Sequence, residues 1–290
     1  MQSPFMKRII FTISGMCLAG SSLYAQQDQL HFADMSAAPS AVLLWPVKLS
    51  GPAAVVGVQF DLVYAPGQVA SGSARAGTGG LSLLAAAREI APGRTRVAVS
   101  SLKNEALVKD AFLELPLSLP STAPAGGPFY TIEHIILTLA DGTKVPAGVQ
   151  SGPLTEWRKR HFTPEELLEG SLTGDGADPD GDGASNLVEY AVGGDPRRAL
   201  PGEKPEAEVG VLDENGQPVF FIALNYRRAL NAPGVLIQPE VSTDLTGWIP
   251  GTPPVQTGAG DAISVPMQAR AVVAGEIKKF LRLKITRQPQ

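Results

Sequence analysis

The chain reads as mainly β: a sandwich at the front, a small helical module in the middle and an antiparallel β unit at the end. Three observations predict this. Apolar and polar residues alternate over short runs, as half-buried strands require, most clearly where Val58, Phe60, Leu62 and Tyr64 interleave with Gln59, Asp61 and Val63. Glycine and proline, 31 and 25 of 290 residues, make up about a fifth of the chain, where roughly 12% is usual. Charged residues are 18%, below the typical 25% or so, which leaves little for the solvated faces of long helices. A hydrophobic content of 44% is enough to fill a core and excludes collagen, coiled coil and wholesale disorder. With 24 basic against 28 acidic residues and no long basic run, nothing here neutralises a phosphate backbone, so no nucleic-acid partner is expected.

Residues 1–25 are expected to be a signal peptide. Met6-Lys7-Arg8 opens a cationic stretch, Ile9 to Leu23 is apolar and small, and Leu23-Tyr24-Ala25 ends on a small residue at the cut site. This apolar run is shorter than the roughly 20 residues needed to span a bilayer, so no membrane span is expected in the mature chain. Cys17, the one cysteine, lies in this segment behind Met16, where a lipoprotein signal would carry a small residue. The mature chain is therefore expected outside the cell or on its surface. It has no disulfide and must be held by burial or by metal.

Residues 30–152 show short strands between Gly, Pro and Ser turns, the pattern of an all-β sandwich. Val58 to Tyr64 places its large apolar groups on one face, and Ala65-Pro66-Gly67 turns the chain. Arg94 to Val99 follows the Pro92-Gly93 turn, and Phe112–Leu119 and Ile132–Leu139 are further strands, the last ending at Asp141-Gly142. Leu81 to Arg88 fits either a helical turn or a strand. VVGVQFDLVYAPGQV (55–69), PGRTRVAVSSL (92–102), the 111–130 stretch with APAGGPFY, and IILTLADGTKVPAGVQSG (135–152) together resemble the cohesin family, receptor modules of bacterial cell-surface and cellulase assemblies. The resemblance implies a nine-strand jelly-roll sandwich that presents a flat sheet face to a protein partner, dockerin-like or another surface protein. Ala65 departs from the family, which commonly has an acidic residue before that proline, and no contact residues are carried over.

Residues 153–196 hold the most specific motif. Asp178 to Glu189 matches the twelve-residue loop D-x-[DN]-x-[DN]-G-x₅-E at each fixed position. Calcium is a hard cation that takes about 6–8 oxygens, and such a loop delivers them in one turn. Asp178, Asp180 and Asp182 would ligate at positions one, three and five, Ala184 through its carbonyl, Asn186 directly or through water, and Glu189 at position twelve, with Gly183 making the sharp turn. Asp175 stands near enough to add a ligand from outside the loop. A solvated acidic turn is the simpler reading of Asp and Gly, but it requires neither Asn186 nor Glu189 at those offsets. Thr163-Pro164-Glu165-Glu166 is a capping box with proline at the first helical position. Leu154 to Phe162 is expected to be helical, as is Leu187 to Val192, which should stop at Gly193-Gly194. GDGADPDGDGASNLVEYAVGGDP (174–196) resembles half of a dockerin repeat and the single loops of thrombospondin type 3-like secreted proteins, which implies calcium. A dockerin has two such loops and this sequence shows one, so docking by this block is not inferred.

Residues 197–209 read as a polar, proline-bearing linker. In 210–290 strands are expected at Val219–Tyr226 after the Asn215-Gly216 turn, at Val235–Val241, at Ile263–Met267 and at Phe280–Ile285. Ile222, Leu224 and Tyr226 would share a face.

Neither a G-x-S-x-G elbow, a phosphate loop nor H-E-x-x-H occurs, and His31, His134 and His161 are scattered. An enzyme is therefore the least favoured class. An exported, calcium-binding interaction protein of scaffold or adhesion type is favoured. The alternative is a carbohydrate-binding accessory protein of polysaccharide degradation, which would need exposed aromatic planes, with Trp45 and Tyr130 as candidates.

Overall fold

The computed structural model describes residues 28–34, 40, 42–67, 70–71, 73–77, 82–121, 130–199, 204–273 and 278–288. The expected signal peptide, and APAGGPFY up to Phe129, lie outside these.

Among the described residues the first unit has eleven strands: β1 (Gln29–Phe32), β2 (Val42–Ser50), β3 (Val55–Val63), β4 (Ala70–Ser71), β5 (Arg75–Ala76), β6 (Leu83–Ala91), β7 (Arg94–Ser101), β8 (Leu113–Ser118), β9 (Thr131–Leu139), β10 (Lys144–Pro146) and β11 (Gly148–Ser151). One sheet runs β11-β1-β2-β8-β4 with β5 also on β8, and the other runs β10-β9-β3-β7-β6. If β4 and β5 are taken as one interrupted strand and the three-residue β10 is set aside, nine strands remain. All pairings are antiparallel except that of β1 with β11, which lays the first strand beside the last and closes the sandwich. The alternation in β3 does what its sequence predicts: Val58, Phe60 and Leu62 are 3%, 0% and 1% exposed and face the core. Phe32 packs on Trp45 with ring centroids 4.9 Å apart and meets Phe60 edge-on at 5.4 Å. From Leu83 onward the ambiguous stretch is strand β6, because Leu83, Ala85 and Ala87 at period two fit against that core, while Leu81 lies outside the described residues.

Four short helical pieces follow: α1 (Pro153–His161), a 3₁₀ turn at Glu166–Leu168, α2 (Gly170–Thr173) and α3 (Asn186–Val192). Leu154, Trp157, Phe162, Leu167 and Tyr190 form their core. The capping box is made in both directions: Thr163 N–H donates to Glu166 Oε2 at 2.9 Å, and Glu166 N–H donates to Thr163 Oγ1 at 3.3 Å. α3 ends at Gly193, whose N–H, like that of Gly194, returns to the Glu189 carbonyl at 2.8 Å.

The last unit comprises β12 (Glu206–Glu214), β13 (Gln217–Ala229), β14 (Val235–Ser242), β15 (Ile249–Pro250), β16 (Val255–Gln256), β17 (Ser264–Val272) and β18 (Phe280–Arg287). They form the sheets β12-β13-β17-β16 and β15-β14-β18, with Tyr226, Met267 and Ala269 packed against Ile237 and Leu283. One expectation is corrected here. The linker read over 197–209 gives way to strand at Glu206, because the Asn215-Gly216 turn fixes a register that pairs β12 along its whole length, from Glu214 with Gln217 to Glu206 with Asn225. Glu206 and Glu208 are exposed edge-strand residues, and their polarity disguised the strand. Among the described residues no helix is long and apolar enough to cross a membrane.

Candidate metal centre and interaction face

Between α2 and α3 the chain folds over itself so that side-chain oxygens of Asp178, Asp180 and Asp182 lie within 4.8 Å of one another. Backbone donors inside the turn hold them there. Asp182 N–H reaches Asp178 Oδ1 and Asp180 Oδ1 at 3.1 Å, Gly183 N–H reaches Asp178 Oδ2 at 2.8 Å, and Ala184 N–H reaches Asp182 Oδ1 at 2.6 Å. Gly183 has φ +92°, a left-handed conformation that a side chain would strain. Lys204 Nζ stands 3.8 Å from Asp182 Oδ2 as a nearby cation.

The C-terminal half of the motif is enclosed. Ala184 is 2% exposed, and Asn186 and Glu189 are 0% exposed. Asn186 Nδ2 donates to the carbonyls of Leu172 at 3.0 Å and Gly174 at 2.8 Å, which leaves its Oδ1 as the atom able to face a cation. Asn186 Oδ1 and Asp180 Oδ2 are both buried without a hydrogen-bond partner. Burying a polar oxygen without a partner is costly, and a hard cation is the ligand that would satisfy such oxygens together with the converging carboxylates. The three converging aspartates and the unpartnered Asn186 oxygen are donors of the kind calcium takes, whereas Glu189 is not among the acids whose oxygens lie within 4.8 Å of one another. Asp175 is engaged elsewhere, since Arg158 bonds its carboxylate and Arg287 Nη1 lies 3.5 Å from its Oδ2.

The second candidate is the outer face of the five-stranded sheet. Outward positions alternate with the core residues of β3 and β7; most at the centre are small, Gly57 on β3, Ala98 and Ser100 on β7 and Ala86 on β6, with the longer Gln59 among them. Leu84 projects beside them, 61% exposed. At one end of the face sits a charged cluster that the sequence did not reveal. Asp61 points outward yet is 1% exposed, because Arg96 bonds it twice, at 2.8 and 3.0 Å, and Arg94 and His134 bond it at 3.3 and 3.1 Å. Arg94 also reaches Glu133 at 2.8 Å. The Arg96 hydrogen bond, with those from Arg94 and His134 adding to it, holds the Asp61 carboxyl below the usual carboxylate range despite its burial. His134 reaches the cluster through an irregularity in the β3–β9 register between Gln59 and Asp61 and has φ +50°, so a bulge re-aims its side chain. Two adjacent polar residues, Glu133-His134, inside an apolar strand were the available signal.

The aromatic candidates for sugar stacking do not form a platform. Trp45 is 0% exposed, Tyr130 packs on it with ring centroids 4.2 Å apart, and Phe60 and Tyr64 are core residues.

No family model matches the chain, and no curated protein does. Among solved structures, the chain is similar to the sixth cohesin of scaffoldin B from Acetivibrio cellulolyticus, solved in complex with a dockerin mutant, at 18% identity over 43% of this chain and 98% of that one, with a TM-score of 0.37. It is similar to a cohesin module from a family 33 glycoside hydrolase of Clostridium perfringens at 14% identity, over 44% and 98% of the two chains, with a TM-score of 0.36. A non-cellulosomal cohesin from the archaeon Archaeoglobus fulgidus matches at 14% identity, over 47% and 99%, with a TM-score of 0.35.

Proposed function

We propose that this chain is an exported, non-catalytic interaction protein whose sandwich docks a protein partner on the outer face of its five-stranded sheet and whose middle module is stabilised by calcium. The observation that carries the docking reading is that face itself. Its centre is built mostly of small side chains around Gln59, Leu84 projects from it, and a charged cluster organised around Asp61 bounds one end. A partly apolar surface with fixed charges at its margin suits a protein surface, because the apolar centre supplies affinity and the charges set orientation. A dockerin-like protein is the first partner to try, since that is what the sequence resemblance implies.

Calcium would be held by Asp178, Asp180, Asp182, the Ala184 carbonyl, Asn186 and Glu189. The ion would supply positive charge to the three aspartates whose oxygens converge. An affinity near the roughly 10⁻⁴ to 10⁻³ M of extracellular modules is expected for a lone loop. The test is capture from culture medium by the chain beginning at Gln26, compared with its Leu84→Glu and Arg96→Glu variants. A protein retained by the parent and lost from both variants supports the reading. Retention on a polysaccharide that neither variant disturbs would replace it with the carbohydrate-binding alternative.

A further inference from the structure

The middle module meets both β units through polar atoms, at the start of α1 on the sandwich side and at Asp175, beside the loop, on the other. On the sandwich side Asp34, just after β1, caps α1: its carboxylate accepts Leu154 N–H at 2.7 Å, Thr155 N–H at 2.9 Å and the Thr155 hydroxyl at 2.6 Å. α1 has no side-chain cap of its own. Gly152 allows this approach, since a Cβ there would lie 2.3 Å from Asp34 Cγ. On the other side Arg287, the last residue of β18, and Arg158, on α1, share the Asp175 carboxylate. Arg158 is 5% exposed, and the Asp175 and Arg287 side chains are 14% and 11% exposed, so solvent and salt screen this triplet weakly.

Asp175 is also where the acidic loop closes. Its carbonyl accepts Leu187 N–H at 3.0 Å, the Ala177 carbonyl accepts Asn186 N–H at 2.8 Å, and Asn186 Nδ2 holds the Gly174 carbonyl at 2.8 Å. The residues that follow the three aspartates therefore pin segment 174–177, and that segment carries the carboxylate on which both arginines meet.

We infer that calcium in the loop clamps the two β units to each other, by fixing Asp175 as the shared anchor of Arg158 and Arg287. This rests on the calcium reading above. Without the ion, repulsion among Asp178, Asp180 and Asp182 opens the loop and releases the 174–177 backbone. The anchor then loses its fixed position between α1 and β18. Because coupling between two equilibria is reciprocal, cutting the arginine tether must also weaken calcium binding by the factor that calcium contributes to the clamp.

A chain beginning at Gln26 has no cysteine, so spin labels at Lys103→Cys and Glu214→Cys, both exposed positions on the two β units, report their separation without background. Pulsed electron-spin distance measurements should give one narrow distribution in calcium and a broad one in chelator, and Glu189→Gln should be broad in both. Arg287→Met should be broad even in calcium while titration calorimetry still records binding, weakened at least roughly fivefold. Asp175→Asn, which keeps the shape and removes the charge, should behave in the same way. Calcium heat with identical distributions in calcium and chelator overturns the clamp and leaves the calcium site standing. Absence of any calcium heat overturns both.

Discussion

In the sandwich the most enclosed large side chains are Trp45, Phe32, Phe60 and Phe112, all at 0–1% exposure. In the middle module the side chains at 0% exposure are polar, Thr173, Asn186 and Glu189, while its main apolar cluster is Leu154, Trp157, Phe162, Leu167 and Tyr190 with partly buried neighbours. Two sheets facing each other remove enough apolar surface from water to stand by burial. Four helical pieces with no disulfide offer a smaller apolar cluster, and units of that size usually recruit a metal or a covalent staple. The difference teaches where each region should fail. The sandwich should respond to volume, and the module to charge and to the ion.

The largest expected effect is in the sandwich. Trp45→Ala should cost about 3–5 kcal/mol, as large-to-small core changes do, measured by denaturant unfolding and unchanged by calcium. A loss below about 1 kcal/mol would mean that Trp45 is not the centre of the core. Next comes the outward cluster. Asp61→Ala should cost about 1–3 kcal/mol at neutral pH, because it removes the charge-assisted hydrogen bonds that one buried carboxylate accepts from Arg96, Arg94 and His134. The sign with pH follows from its lowered pKa: the contribution is present above the ordinary Asp value near 4 and is lost as pH falls through the lower folded value. Parent and variant should converge in stability at strongly acid pH, and a gap that persists there would place the effect in packing.

Calcium removal ranks third. At ten times Kd, linkage gives about 1.4 kcal/mol, to be read as loss of helical circular dichroism in chelator. Asp180→Ala should abolish that response, whereas a response that survives it would take Asp180 out of the ligand set. Smallest is Tyr190→Phe. Tyr190 donates its hydroxyl to the Pro233 carbonyl at 3.0 Å, and burial pushes that hydroxyl's pKa up to about 12. Losing this bond between module and last unit should cost about 1 kcal/mol, measured by thermal unfolding, and a neutral result would mean that water replaces it.

How far the amino acids announced these features also differs between the regions. Val58, Phe60 and Leu62 were readable because strand period and core face coincide. The turn that brings Asp178, Asp180 and Asp182 together was readable because their spacing is short, and the Thr163–Glu166 capping box because it is local. Long-range pairings were not readable. Asp61 meeting Arg94, Arg96 and His134 depends on three strands and a bulge, and Asp175 meeting Arg287 spans 112 residues. The edge strand at Glu206 escaped because exposed glutamates on a sheet edge look like a linker until the partner strand is known.

Differential scanning calorimetry of the chain from Gln26, in calcium and in chelator, tests most directly the claim that the two regions are held by different physics. The account predicts a transition for the sandwich that stays in place and a separate one for the middle module that falls in chelator, with Trp45→Ala lowering the first and Glu189→Gln abolishing the calcium response of the second. A module transition indifferent to calcium, or a sandwich transition that follows calcium as strongly as the module does, would contradict it.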